Sequence, residues 1–173
     1  MTSIYTIGHS DRSQTELVDL LKQNGVATLV DIRSNPHSKK HPHFDDEVLR
    51  NALTKENIVY HWAGRQLGGL RQGSDNSIHS AIAPGLRHFA DYMATSDFER
   101  AASQLQNLAA KGVIAMLCAE KTPDLCHRSL IADHLLLNGM DVAHIIDDKE
   151  VISHCLRPEA RRESATLVYD QII

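Results

Sequence analysis

The sequence predicts an α/β protein, a three-layer sandwich built on a mostly parallel sheet, and three observations carry that expectation. Short runs of apolar and β-branched residues alternate with helix-period segments along most of the chain. Two of the runs, 26–32 and 113–118, are apolar on both faces, as strands covered by helices on both sides must be. The connections contain helical patterns long enough to be crossovers, which parallel neighbours require and which are right-handed.

The elements follow in order. Residues 3–7 form a first strand, closed by a Gly8-His9-Ser10 turn. Ser13 caps a helix with Glu16 three positions on as a capping box, Leu17, Leu20 and Leu21 form its apolar stripe, and Gly25 ends it. The second strand, 26–32, runs into Asp31-Ile32-Arg33. Residues 34–43 carry two prolines and no apolar side chain and read as a surface loop, with His37, His41 and His43 solvated in it beside Lys39 and Lys40. Asp45 or Asp46 opens a helix to Lys55, and 58–62 is a third strand. The Gly- and Ser-rich stretch 63–83 is a long loop of the kind that is usually functional or mobile. Helices are expected over 84–93 and 97–110, the latter capped by Ser96. The clearest strand is 113–118, the clearest helix runs from Cys126 to Asn138 before Gly139, and 141–146 is a last core strand. The extension 147–173 is expected to add a helix over one sheet edge.

At 173 residues the chain suits one domain with a substantial core, residues 1–173. Its 42% hydrophobic and 23% charged residues are ordinary globular values. A net charge of −4 provides no general attraction to nucleic acid or membrane, so an extended duplex is not an expected partner. No run reaches the length of a membrane span and the first residues carry no signal-region pattern, so a cytoplasmic protein is expected. Three cysteines, Cys118, Cys126 and Cys155, are too few for a secreted disulfide framework and are expected to be reduced. Oligomeric state is not legible.

Strand carboxyl ends and helix amino ends face one crevice in open parallel sheets. In a flavodoxin-like or rhodanese-like arrangement, Gly8-His9, Asp31-Arg33, Trp62 and Cys118 would share that rim. The segment from Cys118 through Glu120, Pro123, Asp124, Cys126 and His127 to Arg128 places thiol, carboxylate, imidazole and guanidinium groups there.

Spaced motifs extend along residues 4–146. They are Tyr5-Thr6-Ile7-Gly8-His9-Ser10; Leu29-Val30-Asp31-Ile32-Arg33-Ser34 with Pro36 and Ser38; Leu67-Gly68-Gly69; Phe89-Ala90-Asp91-Tyr92-Met93; Cys118-Ala119-Glu120; Cys126-His127-Arg128; and His144-Ile145. In this order they resemble the family catalogued as DUF488. The resemblance implies an α/β fold and a motif set, with no reaction, substrate or cofactor attached.

Three chemistries stay open from residue types alone. Cys118 is a candidate nucleophile whose thiolate the helix amino end and Arg128 or Arg33 would favour. This resembles rhodaneses and cysteine phosphatases, although Glu120 and Asp124 lie where an anion would bind and no glycine separates Cys118 from Arg128. Cys118, Cys126, His127 and His9 form a candidate zinc set with Glu120 as base, lacking the short Cys-x2-Cys spacing of a firm zinc motif. In the third, a small anionic ligand, nucleotide or short single strand is held by basic side chains including Arg33 and Arg128. Asp31, Glu120 or Asp91 then supplies acid and base, and Trp62 and Tyr92 stack. Catalytic candidates are therefore Cys118, Glu120, His9 and Asp31. Binding candidates are Ser10, Arg33, Ser34, Gly68, Gly69, Tyr92, Cys126, His127 and Arg128. An enzyme of hydrolase or transferase type leads. A non-catalytic ligand-binding module and a Cys118–Cys126 thiol redox sensor are the alternatives.

Overall fold

The computed structural model describes residues 3–172. Its centre is a six-stranded sheet in the order β3-β2-β4-β1-β5-β6. The strands are β1 (Ile4–Gly8), β2 (Thr28–Asp31), β3 (Val59–Trp62), β4 (Ile114–Cys118), β5 (Val142–Ile145) and β6 (Val151–Ser153). The first five pair in parallel, and β6 joins β5 antiparallel. The central strands β2, β4 and β5 are buried along their whole length, which is why their sequences lack polar alternation.

Helices cover both faces. On one face, α1 (Gln14–Gln23) and α2 (Asp46–Thr54) pack Leu17, Leu21, Leu49 and Leu53 against Ile7, Leu29 and Leu117. On the other, α4 (Pro84–Tyr92), α5 (Ser96–Lys111) and α6 (Arg128–Leu137) pack Phe89, Phe98, Leu105 and Ile131 against Ile4, Val30 and Met116. The expected three-layer sandwich is thus observed. A single turn, α3 (Gly64–Leu67), lies inside the stretch that reads as loop.

The Ser13 cap accepts from the Glu16 N–H at 3.0 Å, one half of a capping box, while the Glu16 carboxylate accepts from Arg12 Nη1 at 3.0 Å. The cap of α5 is Thr95 rather than Ser96, a one-residue shift between two competent hydroxyls. Residues 126 and 127 precede α6 instead of opening it, because Pro123–Leu125 form a 3-10 turn that leaves Cys126 extended. The expected carboxyl-terminal helix is absent. Residues 151–153 form β6, and β7 (Ala160–Glu163) pairs antiparallel with β8 (Thr166–Tyr169) in a separate hairpin, with Ser164 at positive φ in its turn. Among the described residues no helix is long and apolar enough to cross a membrane.

Adjacent strands β1 and β4 send their helices to opposite faces, α1 to one and α6 to the other. That divergence opens a crevice at their carboxyl ends, the topological switch point where α/β proteins bind ligands.

Candidate functional site: a dithiol cavity at the switch point

Past the strand ends the β1–β4 ladder continues, with His9 N–H donating to the Cys118 carbonyl at 2.9 Å and Ser10 N–H to the Ala119 carbonyl at 3.0 Å. This holds His9 beside Cys118. Gly8 is obligatory, since a Cβ there would overlap the Glu120 carbonyl folded back over it.

A cavity of about 790 Å³ opens at this point. His9, Ser10, Arg33, Ser34 and Gly69 line it. Cys118, Glu120, Cys126 and His127 line it as well. Nine of the thirteen residues singled out from sequence therefore converge. The other four lie behind it: Asp31, Gly68, Tyr92 and Arg128 are not among its walls. Lys40, one of the basic side chains the anion reading draws on, also lines it, and His41, Leu70, Leu86 and Leu125 contribute walls that sequence reasoning did not pick out. Leu125 carried a usable signal, an apolar side chain inside a polar turn.

Asp31 is fully buried and its oxygens are occupied. Oδ1 accepts from Arg33 Nε at 2.9 Å and Oδ2 from Arg33 Nη2 at 2.7 Å, while the Tyr60 hydroxyl donates to Oδ2 at 2.5 Å. This fork holds the Arg33 side chain, only 6% exposed, with Nη1 as the donor that Asp31 does not engage. Burial opposes the Arg33 charge, but its bonds to Asp31 outweigh that and raise its pKa. Gly68 packs against Ser34, and the Tyr92 hydroxyl donates to the Gln66 carbonyl with Arg71 over its ring. Trp62 donates its indole N–H to the Arg33 carbonyl at the sheet edge.

Arg128 is completely buried. Its Nη1 donates to the Cys118 sulfur and to the Glu120 carbonyl, the latter at 2.6 Å, and Nη2 donates to the Lys121 carbonyl at 2.9 Å. The turn after β4 thus aims carbonyls at a guanidinium, the reverse of a loop that cradles an anion with N–H groups.

Cys118 and Cys126 line the cavity together, and Arg128 bridges their sulfurs, its Nη1 donating to Cys118 and its backbone N–H to Cys126 at 3.5 Å. Burial pushes the Cys118 thiol up, but the Cys126 thiol and the Arg128 charge outweigh it and hold the pKa at about 7. Cys126 moves the other way, raised by the Cys118 sulfur and by burial. The pair therefore divides into a thiolate at Cys118 and a thiol at Cys126.

Two neutral imidazoles flank the sulfurs. His9 Nδ1 lies 2.9 Å from the Ser10 carbonyl, so it carries the proton and Nε2 the lone pair. Burial lowers its pKa to about 4, with the charge on Arg33 adding to the effect. Likewise His127 Nε2 donates to the Leu67 carbonyl at 2.9 Å, leaving Nδ1 as an acceptor 3.6 Å from the Cys126 sulfur. Burial lowers its pKa to about 4 as well.

The zinc set does not converge in this geometry. Among the described residues only His37, Asp45 and Asp46 bring three His, Cys, Asp or Glu ligand atoms within 4.8 Å of one another. His41, expected in solvent, is half-buried, with its ring 5.9 Å from that of His9. His134 packs against Phe98 at 5.0 Å.

Fold and site together define an α/β protein with a buried dithiol at the floor of its switch-point cavity. The family described as domain of unknown function DUF488 matches residues 13–135, most of the chain and both cysteine motifs, and this protein belongs to it. No curated protein and no solved structure matches the chain.

Proposed function

We propose that this DUF488 protein is a cysteine-dependent enzyme acting on a small anionic molecule. The observation that carries the reading is the Cys118 sulfur at the cavity, in contact with the Arg128 guanidinium, with Cys126 in the same wall. A thiolate, not a thiol, is the nucleophile, and a neighbouring guanidinium keeps it ionised near neutral pH.

Roles for the other residues follow from what their hydrogen bonds leave over. Arg33 Nη1 offers a fixed donor to a substrate carboxylate or phosphate, a group that guanidinium recognises well. His9 Nε2 is an acceptor able to take or return a proton at the reacting centre. Ser10, Ser34 and Lys40 add polar walls. A cavity of about 790 Å³ has room for a nucleotide-sized ligand. Carboxylate hydrolysis has less support: Asp31 has its oxygens occupied, and the Glu120 side chain is exposed at the rim.

Alkylation by iodoacetamide tests the reading. A Cys155→Ser background removes the exposed thiol. The rate should rise with pH through a midpoint at about 7, well below the roughly 8.5 of an ordinary thiol, and Cys118→Ser should abolish that phase. A midpoint at the ordinary thiol value, or a phase that survives Cys118→Ser, overturns the proposal.

A further inference from the structure

Cys126, in the same wall as Cys118, is unaccounted for by the roles above. Its sulfur lines the same cavity, at 5% exposure against 2% for Cys118. It also has its own proton acceptor, His127 Nδ1, because the Leu67 carbonyl fixes the proton on Nε2. Gly69 lies flat against the His127 ring, where a Cβ would collide with Nδ1, and Phe89 contacts the ring edge-on at 5.0 Å, so the acceptor is held in place.

One sulfur is paired with a guanidinium, the other lies beside a proton acceptor, and both accept from Arg128 at the same cavity. Thiol–disulfide exchange needs this division between an attacking and a resolving sulfur. We propose that Cys118 and Cys126 are an attacking and resolving pair, and that the substrate is a small disulfide bearing an anionic group. The proposal rests on the thiolate reading above and narrows its electrophile to sulfur.

The substrate's shape is written in the cavity walls. Arg33 Nη1 provides the anion contact near the floor. Leu70 and Leu125 are 82% and 75% exposed, and with Leu86 they give the mouth an apolar lip. Large apolar side chains clustered in the open mark binding surfaces. An anion with an apolar or aromatic arm satisfies both.

The steps balance as follows. The Cys118 thiolate attacks one sulfur of R–S–S–R′, the Cys118–S–S–R bond forms, the substrate disulfide breaks, and R′S⁻ leaves to be protonated by solvent. His127 Nδ1 then accepts the Cys126 proton, and the Cys126 thiolate attacks the Cys118 sulfur. The Cys118–Cys126 disulfide forms and RS⁻ departs with the proton from His127. The substrate gains two electrons and the protein dithiol loses two. An external dithiol reductant returns the pair to its starting state.

The probe is 5,5′-dithiobis(2-nitrobenzoate), a disulfide with carboxylates on aromatic arms, added to the Cys155→Ser protein and followed by aryl thiolate release and intact mass. The expected result is two aryl thiolates released per chain, an internal disulfide and no retained aryl group. Cys126→Ser should release one and keep the adduct on Cys118, with Cys126→Ala as the alternative if serine perturbs folding. Two outcomes overturn the resolving pair while leaving the thiolate reading standing: a single aryl group retained on Cys118 when both thiols are present, or aryl groups on both sulfurs. No reaction at Cys118 in any variant overturns the thiolate reading and the exchange together.

Discussion

Two buried polar clusters lie within this fold, one at the cavity and one around Asp133, and they contain much the same chemistry arranged to opposite ends. Around Asp133 the imidazoles and the carboxylate find their partners within the chain, although His144 and His154 also line a second cavity of about 600 Å³. The Thr6 hydroxyl meets His144 Nδ1 at 2.6 Å, His144 Nε2 meets His154 Nδ1 at 2.8 Å, and His154 Nε2 meets Asp133 Oδ1 at 2.7 Å. The Arg157 N–H also donates to Oδ1 and the Tyr169 hydroxyl to Oδ2. One proton per link satisfies the whole chain if each ring donates toward the carboxylate. Burial, with His154 and Arg128 adding, lowers the His144 pKa to about 3. The cluster ties the β7–β8 hairpin and the segment after β6 to α6 and the sheet. At the cavity, by contrast, Arg33 Nη1 and His9 Nε2 are left over by the hydrogen bonds that hold their side chains, and both residues line the cavity beside Cys118. Buried histidine and aspartate therefore point to chemistry only where hydrogen-bonding capacity is left over; where it is used up they are fastenings.

The sharpest way to break that comparison is Asp133→Ala. It strands a histidine, a tyrosine hydroxyl and a backbone N–H without an acceptor, and removing one partner of a buried charged network costs about 3–5 kcal/mol. Urea unfolding should show that loss while the folded protein keeps its Cys118 alkylation midpoint. A change under about 0.5 kcal/mol, the size of an ordinary surface substitution, would mean that the cluster fastens nothing.

Arg128→Met should have a smaller effect, concentrated in the cavity. Without the guanidinium the Cys118 thiol loses a hydrogen bond and a favourable charge, so its midpoint rises from about 7. The sign is that of an acid losing its cation, so the thiolate fraction at pH 7 falls and alkylation there slows about fivefold for the first unit of rise and about tenfold for each further one. Arg128→Lys should recover part of the rate by restoring the charge. An unmoved midpoint would assign the low thiol pKa to Cys126 alone.

The difference between the clusters also explains what was legible in the sequence. Strands buried on both faces announce themselves as apolar runs, so the central strands and the position of Cys118 at the end of β4 could be read directly, while the edge strand β3, with three of its four residues exposed, was legible from its β-branched and aromatic residues. The Ser13 cap was equally local. The carboxyl-terminal hairpin was not, because it is held by distant partners: Tyr169 by Asp133 and His79, and the segment after β6 by His154 on Asp133. Asp31-Ile32-Arg33 was legible as a strand end. That Asp31 would be occupied by Tyr60 depends on the β2–β3 pairing, which no local pattern encodes. Arg128 was legible as a cation near Cys118, but not its direction, which follows from carbonyls of the turn folding inward over Gly8.

Glu120 gives the smallest expected effect and the most exacting test. From sequence its carboxylate is a candidate general base, two residues from Cys118. In the structure the residue acts through its backbone, its carbonyl accepting from Arg128 at 2.6 Å while the side chain sits exposed at the rim. Glu120→Gln keeps that carbonyl and removes only the ionisable oxygen. Stability should therefore change by less than about 0.5 kcal/mol, as for most exposed substitutions. The Cys118 alkylation rate at pH 7 should stay within about twofold, since an exposed charge acting through solvent is worth well under 1 kcal/mol. A tenfold loss would correspond to about 1.4 kcal/mol of barrier, more than a solvated rim carboxylate can contribute. That result would place an acid–base group at the mouth of the cavity and make carboxylate chemistry, not the sulfur pair, the centre of this site.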